Sequence, residues 1–145
     1  MTDKQGLSFN APNLEAAKIL GDIPKIIFDT KTLDPKGLTY VGTILLGNTR
    51  TISIHGQWSP GPTRPYWGPE GDLSTIFNGA PKWSAVTLVL TQDYQIVGGA
   101  YGPGPFKITN TSDSMGWIVC VKMNDIYYPD NYNHPTDPMT AEWSL

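Results

Sequence analysis

Two carboxylates and two carboxamides fall within eight residues in Asn124-Asp125-Ile126-Tyr127-Tyr128-Pro129-Asp130-Asn131, directly after the apolar run Gly116–Met123. Hard cations such as calcium take six to eight oxygen ligands from carboxylates, amides and backbone carbonyls, usually on a bent loop. Asp125, Asp130 and Asn131 offer side-chain oxygens at a spacing that a loop can converge and one strand face cannot. Two carboxylates also match the charge of one divalent ion. Asp and Asn are equally the ordinary residues of turns, so a bare turn is the alternative for the same residues.

The other reactive side chains form no catalytic pattern. His55 lies on the alternating stretch Arg50–Gly56 and His134 in the turn-rich Tyr132–Pro138. Neither has a Ser or Cys partner in a nucleophile motif such as Gly-x-Ser-x-Gly, so both read as structural or solvated. Asp125 and Asp130 match a glycosidase pair in number, but sharing one short loop with amides suits a cation better than a general acid. Cys120, inside Trp117–Val121, reads as a packed thiol. Gly98-Gly99-Ala100-Tyr101-Gly102-Pro103-Gly104-Pro105 has no helix pattern after it and reads as a turn rather than a phosphate cradle. No enzymatic activity is expected.

The elements that must hold the loop are strands. Thirteen Pro and fifteen Gly divide the sequence, and aromatic and β-branched residues dominate between the breaks. Candidate strands are Lys25–Asp29, Thr39–Leu46, Arg50–Gly56, Ser84–Thr91, Tyr94–Val97, Phe106–Thr109, Gly116–Met123 and Met139–Leu145. Thr51–His55 alternates, so one face is buried and one exposed. Ala85–Leu90 and Trp117–Val121 are nearly continuous apolar runs and should be central. Short strands separated by turns predict an all-β protein, a jelly-roll-like two-sheet antiparallel β-sandwich over 25–145. Asn13–Leu20 alone reads as helical, with Asn13 as cap and Gly21 as stop, which gives a short amino-terminal helix or arm over 1–24, packed on the sandwich.

With 145 residues the chain is long enough for one domain with a proper core. A single cysteine rules out an internal disulfide framework and any Cys/His zinc pattern. The formal charge of −3 and the scattered basic residues argue against a nucleic-acid partner held through phosphates. No apolar run approaches the roughly 20 residues of a membrane span. Met1–Gly6 lacks the basic-then-apolar layout of a secretory leader. Synthesis in the cytoplasm is therefore expected, with release to the surface or outside by a non-classical route left open. Without such a leader the sequon Asn110-Thr111-Ser112 reads as coincidence.

A long kinked connection joins Arg50–Gly56 to Ser84–Thr91, and connections of that length in a domain are usually functional or disordered. Its Trp and Pro residues favour order, by burial and by a lower ordering cost. It contains Gly56-Gln57-Trp58, Pro60-Gly61-Pro62-Thr63 and Trp67-Gly68-Pro69-Glu70-Gly71-Asp72. With Gly116-Trp117-Ile118-Val119, Asn124-Asp125 and Pro129-Asp130-Asn131 further on, this order of motifs resembles the LecA family of calcium-dependent, galactose-binding bacterial lectins. The resemblance runs from about Gly42 to the carboxyl end and leaves residues 1–24 unexplained.

The resemblance implies a small jelly-roll sandwich whose calcium is completed by two vicinal sugar hydroxyls. Asp125, Asp130 and Asn131 would supply side-chain oxygens, and Pro60 and Tyr127 backbone carbonyls. Asp125, Ile126, Asp130 and Asn131 would meet the sugar, a galactose-like ring or glycoconjugate. The family's sugar-contacting His-Pro-Asp-Gln segment has no counterpart here, where the chain reads Leu73–Trp83 without His or Gln. Asn78 is the nearest polar substitute and Trp83 an apolar platform for a sugar ring. A homo-oligomer is also implied. The alternative is a non-catalytic structural or interaction sandwich that has lost sugar binding.

Overall fold

The computed structural model describes residues 28–144. The expected arm and helix over 1–24, and the start of the first strand at Lys25, lie outside the described residues. Alternating and β-branched stretches form strands β1 (Phe28–Thr32), β2 (Thr39–Ile44), β3 (Thr49–His55), β4 (Trp58–Ser59), β5 (Asp72–Phe77) and β6 (Ala80–Lys82). They continue with β7 (Ala85–Leu90), β8 (Ile96–Tyr101), β9 (Phe106–Thr109), β10 (Trp117–Met123), β11 (Tyr132–Asn133) and β12 (Thr140–Ser144). No helix occurs among the described residues.

Two four-stranded sheets carry the fold, in the orders β1-β12-β3-β9 and β2-β10-β7-β8, with every ladder antiparallel. Numbering only these eight strands along the chain gives 1-8-3-6 and 2-7-4-5, the interleaved pattern of a jelly roll. The expected jelly-roll sandwich is therefore present. The two apolar runs form β7 and β10, both interior strands of the second sheet, as their composition requires.

The inner faces interdigitate. Ile52, Ile54, Ala141 and Trp143 of the first sheet meet Val89, Val119, Val121 and Met123 of the second. Fully burying an aliphatic side chain of this kind is worth about 1.5–3 kcal/mol. Gly42 is what admits Trp143: a Cβ there would lie 2.7 Å from the indole ring. Asn110 is also buried, and its amide donates to the carbonyls of Ile44 (2.9 Å) and Met115 (3.0 Å). It serves as an internal tie, in keeping with the sequon's reading as coincidence.

Two sequence expectations are corrected. Gly98–Tyr101 is not a turn but the body of β8, paired to β7 through Gly98↔Val89 and Gly99↔Leu88. Glycine shows no alternation and has weak strand propensity, so tertiary pairing decides there. The strand expected over Tyr94–Val97 starts only at Ile96, because Thr91–Gln95 closes a turn with Tyr94 at φ 62°. The long connection holds real structure: β4 pairs with β11, and β5 pairs with β6.

Candidate functional site

The acidic loop leaves β10 and is anchored at both ends. Asn124 is buried, and its amide donates to the carbonyls of Phe77 (2.8 Å), Pro81 (2.9 Å) and Ala80 (3.2 Å), tying the loop to the β5–β6 hairpin. At the far end, Tyr128-Pro129-Asp130-Asn131 closes a β-turn through Asn131 N to Tyr128 O (3.0 Å), with Pro129 where its fixed φ favours the turn. The phenol of Tyr128 donates to Met123 O at 2.7 Å, and burial pushes its pKa above the ordinary tyrosine value.

The β4–β11 ladder brings the second segment alongside. Tyr132 pairs with Ser59, so Pro60 comes next in line with Asn131. The buried hydroxyl of Ser59 donates to Gly61 O (2.7 Å) and Arg64 O (3.2 Å), and Arg64 N donates to Gly61 O (3.0 Å). Mutual backbone hydrogen bonds of Trp58 and Trp67 (3.0 and 2.8 Å) close the segment behind. Gly61 lies close to the acidic loop: a Cβ there would sit 2.9 Å from Oδ2 of Asp130.

These segments enclose a groove of about 340 Å³ whose walls include Pro60, Trp83, Asp125, Ile126, Tyr127 and Asp130. Six of the residues expected for the site are thus brought together. Asn131 does not line the groove but is fully buried next in chain to Asp130, its amide donating to Pro35 O at 2.8 Å. Asn78 is not part of the assembly. It lines a separate depression of about 260 Å³ on the outer face of β7, β8 and β10. The reason is that Asn78 and Gly79, at φ 54° and 82°, form the two-residue turn between β5 and β6.

Trp83 is in the groove, but not as a bare apolar platform. Its indole N–H donates to Asp125 Oδ1 at 3.2 Å. Lys82 Nζ lies 4.7 Å and Arg64 Cζ 5.6 Å from its ring centroid, and the Trp67 ring is 5.2 Å away. Arg64 and Lys82 also line the groove, and sequence reasoning missed both. The signal available was a pair of basic residues within a motif-rich connection in a chain with few of them.

Two oxygens are informative by what they lack. Asp125 Oδ1 accepts from Trp83 and from Ile126 N (2.8 Å), whereas Asp125 Oδ2 is buried with no hydrogen-bond partner. Asn131 Oδ1 is likewise buried and unpartnered. Five such side-chain atoms occur among the described residues, and two belong to this one loop. Buried acceptors without donors are costly and call for a partner such as an ion or water. Both are oxygens of the types that a hard cation takes. No group of three or more His, Cys, Asp or Glu occurs among the described residues. The donor set here is two carboxylates plus amide and carbonyl oxygens, which suits calcium better than a transition metal.

Compared with known proteins, the chain matches no family model and no curated sequence.

Proposed function

We propose that this protein is a calcium-dependent, carbohydrate-binding lectin, with galactose or a related sugar bearing a vicinal diol as ligand. The observation that carries this reading is the pair of buried, unpartnered oxygens, Asp125 Oδ2 and Asn131 Oδ1, in the loop whose Asp130 lines the groove. Asp125, Asp130 and Asn131 would hold the ion through side-chain oxygens, with the carbonyls of Pro60 and Tyr127. Bound calcium supplies coordination positions for two adjacent sugar hydroxyls. The chain's own residues orient and exclude: Trp83 fixes one oxygen of Asp125, and Ile126 and Tyr127, both exposed, present apolar surface at the rim. The order of motifs shared with the LecA lectins supports the same reading. Nothing in it requires catalysis.

A small homo-oligomer goes with this function, because several weak sites on one particle raise avidity by about 10² to 10⁴. Light scattering that returns the mass of one chain across the micromolar range would refute it. The second reading, an interaction module without sugar binding, is favoured by Asn78 lying in another groove and by the cations against Trp83. Calorimetry with galactose separates the two. The lectin binds galactose in calcium and not in chelator, and Asp125→Ala does not bind; an interaction module shows no heat in either buffer.

A further inference from the structure

We propose that the preferred saccharide carries an anionic group, a carboxylate or a sulfate ester, received by Arg64 and Lys82; this rests on the sugar-binding reading above. Both cations line the groove that contains Asp125 and Asp130. Neither makes an ion pair: among the described residues the ion pair present is His55–Glu142, at 3.0 Å and outside the groove. The charged heads of Arg64 and Lys82 lie against the ring of Trp83, 5.6 and 4.7 Å from its centroid respectively. That ring is hydrogen-bonded to Asp125, so the cations are held beside the carboxylate proposed to carry the ion.

The charges then decide the ligand. Asp125 and Asp130 equal Arg64 and Lys82 in number, and a bound divalent cation leaves the groove lining net positive; Asp72, across the β5–β6 ladder from Lys82, offsets part of this from outside the groove. A neutral hexose leaves the excess in place, whereas a sugar with one negative group reduces it. The guanidinium fork of Arg64 matches carboxylate and sulfate oxygens in pairs. An acid or ester group on the sugar gives the cations their partner.

The test is calorimetry of the full chain in calcium with galactose, galacturonate and galactose 6-sulfate, at low and at physiological salt. At low salt at least one anionic sugar should bind roughly tenfold more tightly than galactose, and added salt should shrink that ratio. A gain with galacturonate alone assigns a carboxylate, and with the sulfate alone a sulfate ester. Arg64→Gln and Lys82→Gln should each lower the anionic-to-neutral ratio. Calcium-dependent binding of galactose with no anionic advantage overturns this inference and leaves the lectin reading standing. Absence of binding by all three sugars overturns both.

Discussion

Trp83 and Asp125, forty-two positions apart in the chain, meet through one hydrogen bond of 3.2 Å from the indole N–H to Oδ1. The bond fixes one carboxylate oxygen and leaves the buried Oδ2 without a protein partner. Trp83 is itself held in the left-handed region, φ 66°, by Trp83 N to Asn124 O (2.7 Å) and Trp58 Nε1 to Trp83 O (3.2 Å). Trp83→Phe keeps a ring and removes the donor. Calcium affinity should fall about tenfold, near the lower end of about 1.5 kcal/mol for a hydrogen bond to a charged group. Titration calorimetry measures this, and unchanged affinity contradicts the orienting role.

Asn131→Ala should act in two ways. The buried carbonyl of Pro35 loses its donor, which costs about 1–3 kcal/mol without any metal. Stabilisation by calcium should vanish as well. Urea melts in chelator and in calcium separate the two effects. A variant that keeps the calcium gain denies Asn131 a place among the ligands.

The Ser74 hydroxyl, then its backbone N–H, hold Asp72 below the ordinary carboxyl pKa of 3.8, at 2.6 and 3.0 Å. A lowered folded-state pKa means that the favourable contribution is present above pH 3.8 and is lost as pH falls through the folded value. Ser74→Ala should therefore move the Asp72 carboxyl titration upward, toward 3.8, in an NMR pH series. An unmoved titration contradicts the assigned cause.

The sandwich was legible because its long strands are rich in β-branched and aromatic residues broken by Gly and Pro, and because β7 and β10 are apolar on both faces. What escaped had physical reasons. Gly98 and Gly99 display no side-chain alternation, so β8 looked like a turn. Leu73 and Ile76 of β5 are apolar yet 71% and 67% exposed, so burial gave that hairpin no period. Asn78-Gly79 is nevertheless a recognised two-residue hairpin signal, and it places Asn78 at a turn outside the groove of Asp125 and Asp130.

At the site, residue type located Asp125, Asp130 and Asn131, but only three-dimensional pairing distinguishes Asn131 from Asn124. Both are buried carboxamides. The amide of Asn124 is committed to three carbonyls, whereas Asn131 retains an unpartnered oxygen. For the groove's cations the sequence signal was only their place in the motif-rich connection; nothing around Arg64 or Lys82 says that they share a wall with Asp125.

Thermal melting in millimolar calcium and in excess chelator tests the central claim most directly. An ion that binds only the native state adds about 2.7 kcal/mol at a hundredfold excess over Kd, which for a chain of this size raises Tm by roughly 5–10 °C. The same increment should be absent in Asp125→Ala. Identical Tm values in calcium and chelator, for protein first stripped of bound ions, contradict the claim that the Asp125–Asn131 loop is a calcium site.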